Sequence, residues 1–158
     1  MKRFLAGLSR VGIAASSTRL GGSFYHVVCR RIDRFLIPLT AGRMALGPPG
    51  QTVLLTTTGA RSGHPRRAAV AFGWDGDDMV VIASKGGSPH HPAWYHNLKA
   101  NPLVRTQYRD HDEQRVAREV IGEDRERLFS MMAAQFPNFT AYQERAARTI
   151  PVMVLSRT

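Results

Sequence analysis

"RRAAVAFGWDGDDMVVIAS", residues 66–84, is written as two strands and a turn. The runs 66–74 and 79–84 are apolar and β-branched, and "DGDD" (75–78) separates them. Gly76 stands where a tight turn needs positive φ, so the stretch predicts an antiparallel hairpin. The same pattern continues on both sides. "QTVLLTTT" (51–58) predicts a strand before it. "LVRTQYR" (103–109) and "EQRVAREV" (113–120) alternate around the polar tip "DHDE", and "IPVMVLS" (150–156) predicts a final buried strand.

Helices are fewer. "PAWYHNLKAN" (92–101) places Pro92 at a first turn, and residues 123–147 carry Phe129, Met132, Ala133 and Phe136 on one stripe that Pro137 divides. Six strands joined by hairpins, with few helices, exclude a doubly wound parallel sheet. They predict an α+β protein that is mainly β: a six-stranded antiparallel split β-barrel with covering helices. "GPPG" (47–50) closes off a basic N-terminal helical arm. The expected organisation is therefore an arm over 1–46 and a barrel domain over 47–158. Within the arm, Phe4, Leu5 and Leu8 recur at helical spacing, and 23–40 reads as a second helix with Tyr25, Val28, Ile32, Phe35 and Leu36 as its stripe.

The 158 residues carry 22 Lys and Arg against 12 Asp and Glu, a net charge of +10. Residues 1–74 hold 11 of the basic side chains and one acid, Asp33, so the whole excess lies in that half. An arginine-rich half attracts partners bearing phosphates or carboxylates. The single cysteine, Cys29, excludes an intrachain disulfide and any cysteine-based metal site. No apolar run is long enough to cross a bilayer, and the chain is expected to be cytoplasmic, with the basic arm able to touch the inner membrane face.

Two segments carry the candidate chemistry. "TTTGARSGHPRR" (56–67) joins two strands with small and turn-forming residues. Its hydroxyls, its backbone N–H groups and Arg61, Arg66 and Arg67 suit a phosphate or carboxylate. Spacing alone leaves a solvated basic hairpin equally open. "SKGGSPHHPAWYHNL" (84–98) holds His90, His91 and His96, but no cysteine or carboxylate accompanies them, so no metal site is expected. Ser84 and Ser88 lie in no nucleophile elbow. The remaining reading is a binding loop. Gly86 and Gly87 allow a flat ring to approach the backbone, Lys85 adds charge, and Trp94 and Asn97 share one helix face. Trp94 suits a core position as well as a ligand wall.

In order and separation, "LLTTTGARSGHPRR … VVIASKGGSPHHPAWYHNLKANPLV" resembles the deazaflavin-dependent nitroreductase and quinone reductase family of actinobacteria over about 50–158. The resemblance implies a split barrel and an oxidoreductase. It would pass a hydride from reduced coenzyme F420 to a hydrophobic acceptor such as a quinone, nitroaromatic or enone. It implies that Arg61, Ser62 and Arg66 hold the phosphate and the start of the oligoglutamate tail. Ser84, Lys85, Gly86, Gly87, Trp94 and Asn97 would line the deazaflavin. Phe136, Phe139 and Tyr142 would face the acceptor, with Tyr142 or Ser84 supplying a proton. Phe136 and Phe139 stand where relatives active on nitroimidazoles carry tyrosines. FMN in place of F420 is the alternative cofactor, and the class also admits a homodimer. A nucleic-acid binder would use the same charge, but the aromatics do not interleave with the basic residues as stacking on bases requires, so no nucleic-acid partner is expected.

Overall fold

The structure is a computed structural model that describes residues 51–158 and, from the arm, Ile32, which is helical. The two arm helices otherwise lie outside the described residues, as does Cys29.

Six antiparallel strands close into a barrel: β1 (Thr52–Thr58), β2 (Pro65–Asp75), β3 (Asp78–Ile82), β4 (Leu103–Tyr108), β5 (His111–Val120) and β6 (Val152–Arg157). Their order around the barrel is β1-β2-β3-β6-β5-β4, and β1 pairs with β4 to complete the ring. Closure removes the exposed edges that an open sheet of this size would carry. Helix α1 (Ala93–Ala100) follows β3, and α2 (Gly122–Gln135) and α3 (Asn138–Arg145) separate β5 from β6.

The strand sequences follow from what covers each face. β3 from Met79 to Ile82 and β6 from Val152 to Leu155 are apolar because both of their faces are buried. Met79, Val81, Met153 and Leu155 point into the barrel with Val53, Leu55, Phe72 and Val104. Val80, Ile82, Val152 and Val154 point outward beneath Leu128, Phe129 and Met132 of α2 and Phe139 and Tyr142 of α3. Gly73 of β2 admits α2, since a Cβ there would stand 2.7 Å from Met132 Sδ. β4 and β5 face water on their outer side and alternate accordingly. Val104, Thr106, Arg115 and Ala117 are buried, while the directly paired Leu103 and Val116 are exposed.

Three boundaries differ from the expected ones. β3 ends at Ile82, because Ala83 and Ser84 already bend into the turn beyond it. The β4–β5 connection is not the four-residue "DHDE" tip: Tyr108 pairs with His111, leaving only Arg109 and Asp110, with Arg109 at φ 51°. β6 starts at Val152, since Pro151 has no N–H to give a strand ladder. The β2–β3 turn is as expected, with Asp75 paired to Asp78 and Gly76 at φ 62°.

Candidate functional site

One mouth of the barrel lies at the end of β1 and the start of β2. Inward-facing Thr57, Arg66 and Ala68 meet Ala93, Trp94, His96 and Asn97 of α1 there, around a cleft of about 680 Å³. Arg61, Ser62 and Arg67 complete the basic side, and no described carboxylate lines the cleft. The volume lies within the range of small-molecule and cofactor sites. Three guanidinium groups facing a common space with no acid repel one another unless an anion or water screens them.

Asn97 builds this mouth. Its Nδ2 donates to Thr57 Oγ1 at 3.0 Å, and its Oδ1 accepts from the Ala60 backbone N–H at 3.0 Å. Thr57 Oγ1 in turn donates to the Arg66 carbonyl at 3.2 Å. One buried amide thus ties α1 to β1 and to the basic loop that carries Arg61 and Ser62. Each end of the amide holds one protein group, while Asn97 also lines the cleft. The loop's own turn closes through Gly59 N–H to the His64 carbonyl (2.9 Å) and Gly63 N–H to the Gly59 carbonyl (2.8 Å). Trp94 is 4% exposed and belongs to the barrel core while also lining the cleft. The far side of α1 is anchored by Tyr95 Oη donating to Glu119 at 3.0 Å and by Lys99 at 2.9 Å from the same carboxylate.

The segment 84–87 forms a separate turn beyond β3. Lys85, Gly86 and Gly87 take φ values of 48°, 66° and 78°, three successive left-handed residues. This conformation favours glycine and strains Lys85. The turn packs on α3: a Cβ on Gly87 would stand 3.0 Å from the Tyr142 carbonyl. Ser84 is buried, and its carbonyl accepts from the Gly87 N–H at 3.0 Å. Ser84, Lys85, Gly86 and Gly87 do not line the arginine cleft, and neither do Phe136, Phe139 and Tyr142. Phe139 and Tyr142 are buried between α3 and the barrel wall, with Phe136 packed half-buried against them.

Arg148 holds the whole 83–90 segment and escaped the sequence reading. Its guanidinium donates to the carbonyls of Ala83 (3.2 Å), Ser88 (3.2 Å), Ser84 (3.4 Å) and His90 (3.4 Å). A lone arginine in a polar loop carries no local signal of such a role. His96, whose place in the sequence suggests only a metal ligand, lines the cleft. Among the described residues no three His, Cys, Asp or Glu side chains come together as a metal site.

His91 stacks on Tyr95 at 4.7 Å between ring centres. Burial holds its pKa below the usual 6.5, Arg148 and His96 act in the same sense, and Glu119 opposes them. A depressed histidine pKa means the unfolded chain binds the proton more readily. The resulting stability is complete above pH 6.5 and is lost as pH falls below it. The melting temperature is expected to drop between pH 7 and 5, and His91→Gln is expected to flatten that drop. Thermal melts across the window check this; equal slopes for both proteins would show that His91 is not the group responsible.

Comparisons with known proteins agree with this architecture. The family model described as F420H(2)-dependent quinone reductase matches residues 34–157. An F420H(2)-dependent quinone reductase of Mycobacterium tuberculosis is 41% identical over 123 residues, covering 75% of this chain and 83% of the relative. A solved F420-H2 dependent reductase is 40% identical with a TM-score of 0.63, covering 67% of this chain and 94% of that one. A structure described as a domain-swapped dimer is 36% identical with a TM-score of 0.66, covering 80% and 94%. A heme storage protein of Vibrio cholerae, 18% identical with a TM-score of 0.55 over 69% and 82% of the two chains, shares the fold alone. No helix among the described residues is long and apolar enough to cross a membrane. The chain belongs to the F420H(2)-dependent quinone reductase family, oxidoreductases whose cofactor is coenzyme F420.

Proposed function

We propose that the protein binds reduced F420 with its phosphate and tail at the arginine-lined mouth and its ring toward the neighbouring 84–87 turn, and reduces a quinone beside that turn, with nitroaromatics and enones as further acceptors. The observation that carries this is the cleft itself: about 680 Å³ walled by Trp94 and by Arg61, Arg66 and Arg67, with no described acid. F420 joins a flat ring to a phosphate and a chain of carboxylates, and these donors suit it. Arg61, Ser62, Arg66 and Arg67 would hold the phosphate and the tail, with Trp94 closing the barrel behind them. When bound, F420 supplies the hydride. The chain's own residues bind it, orient it and exclude water from its apolar side.

The 84–87 turn is assigned to the ring on the strength of its left-handed backbone and its cross-linking by Arg148. Tyr142 and Arg145 of α3 pack on this turn, with Phe139 beside Tyr142 and Phe136 beside Phe139, which supports an acceptor position next to it. Tyr142 is the favoured proton donor to the reduced quinone, with Ser84 second. A homodimer is supported by the domain-swapped dimer among the similar structures. Contact of the arm (1–46) with an anionic membrane is proposed from its charge alone.

Single-turnover mixing of F420H2-loaded protein with a soluble quinone tests the reaction. F420 absorbance is expected to recover in proportion to quinone added. Tyr142→Phe keeps the buried ring and is expected to slow the step by about 10²-fold without changing F420 affinity. An unchanged rate would remove Tyr142 as the donor. Recovery no faster than without protein would remove quinone reduction.

A further inference from the structure

His96 lies on the face of α1 that borders the arginine-lined mouth. Ala93, His96 and Asn97 stand one helical turn apart, and all three line the cleft. Asn97 donates to Thr57 and accepts from the Ala60 N–H, which holds the 59–64 loop against this turn of the helix. The imidazole of His96 is thereby set beside the loop that carries Arg61. It shares the cleft with Arg61, Arg66 and Arg67, and no described carboxylate lines that space. His96 is exposed, and none of the described residues hydrogen-bonds to its ring nitrogens.

Two rings back it. His91, from the segment before α1, meets it edge-on with 5.8 Å between ring centres, and Tyr95 lies at 5.5 Å. Burial holds His91 toward its neutral form, with Arg148 and His96 acting in the same sense. The other charges along α1 are engaged on its far side. Lys99 pairs with Glu119 at 2.9 Å, and the same carboxylate takes the Tyr95 hydroxyl at 3.0 Å. Among the described residues lining the cleft, the guanidinium groups stay charged at any working pH, and His96 is the one side chain of a type that titrates between about pH 5 and 8.

We propose that His96 is a further anion-binding residue of this mouth, one that grips the phosphate or the carboxylate tail of the cofactor most strongly when protonated. This rests on the assignment of the phosphate and tail of F420 to the arginine-lined cleft. The sign follows from charge. An anion held beside an imidazole favours the imidazolium, so binding takes up protons and affinity rises as pH falls through the histidine range. As pH rises the proton leaves, and a neutral contact remains. The three arginines hold the cofactor at either pH, and His96 sets how much tighter it is held in acid.

Calorimetric titration of the full chain with oxidised F420 at about pH 5.5 and about pH 8, at one ionic strength, tests this. Any titration of the cofactor itself is common to all variants and cancels in the ratio of each to wild type. His96→Gln keeps a polar side chain without the charge. It is expected to weaken binding about five- to tenfold at the lower pH and by less than about twofold at the higher. His96→Arg is charged throughout, and is expected to tighten binding at the higher pH by about five- to tenfold. Near the histidine midpoint, wild-type titrations in two buffers of different ionisation heat should show uptake of a fraction of a proton that His96→Gln lacks. The side chain is exposed, so neither variant disturbs the core. An equal loss at both pH values would mean a contact made without the charge, and no loss at either would mean no contact. Each overturns this proposal and leaves the cofactor assignment standing, provided the Arg61→Ala/Arg66→Ala protein still loses affinity. F420 binding indifferent to those two arginines would overturn both.

Discussion

Replacing Arg61 and Arg66 together by alanine is expected to weaken F420 binding by about 10²- to 10³-fold while the fold survives. Both side chains belong to exposed residues at the rim of the cleft, so their removal leaves no cavity in the core. Each charge-assisted contact to a phosphate or carboxylate is worth about 1.5–3 kcal/mol. Two such contacts give the stated range after some compensation by Arg67. Either replacement alone is expected to cost about tenfold or more. The loss should grow as salt is lowered, because the wild-type contacts are ionic and the mouth is open to water. Affinity unchanged in the double variant would place the cofactor elsewhere.

Arg148→Ala is expected to destabilise the protein by about 3–5 kcal/mol, a large share of the stability of a domain this size. The guanidinium is partly buried, and burial lowers its pKa. Its removal strips the donor from the carbonyls of Ala83, Ser84, Ser88 and His90 at once. These groups lie in a segment whose backbone is already strained at Lys85. Arg148→Lys brings a single ammonium that cannot span four acceptors, and is expected to recover less than half of the loss. Urea unfolding measures the change. Hydrogen exchange should show it concentrated between residues 83 and 92. A loss below about 1 kcal/mol would mean that water replaces the guanidinium without penalty.

The parts of the fold legible in the sequence are those whose physics is local. The Asp75–Asp78 turn carries its own glycine, and the doubly buried β3 and β6 betray themselves as unbroken apolar runs. Pro137 marks the break between α2 and α3 because it cannot continue a helix. What could not be read depends on distant partners. Arg115, a charged residue between Gln114 and Val116 in "EQRVAREV", looks like part of a solvated face. It is buried because the Asp77 and Leu155 carbonyls and Glu113 meet it there. The amide of Asn97 looks available until Thr57 and Ala60, some 40 residues earlier, are folded against it. The basic loop and Trp94 meet Asn97 at one cleft. The glycine turn lies outside that cleft, packed on Tyr142 and Arg145 of α3. Sequence proximity of Gly86–Gly87 to Trp94 says nothing of the direction the chain takes between them.

The most direct test is a side-by-side titration of the purified full chain with oxidised F420 and with FMN, followed by cofactor fluorescence. Binding of F420 at micromolar concentration or tighter, lost in the Arg61→Ala/Arg66→Ala protein and far stronger than FMN binding, is the predicted result. Binding of FMN alone, or F420 binding indifferent to both arginines, would contradict the assignment of the arginine-lined mouth as the deazaflavin site.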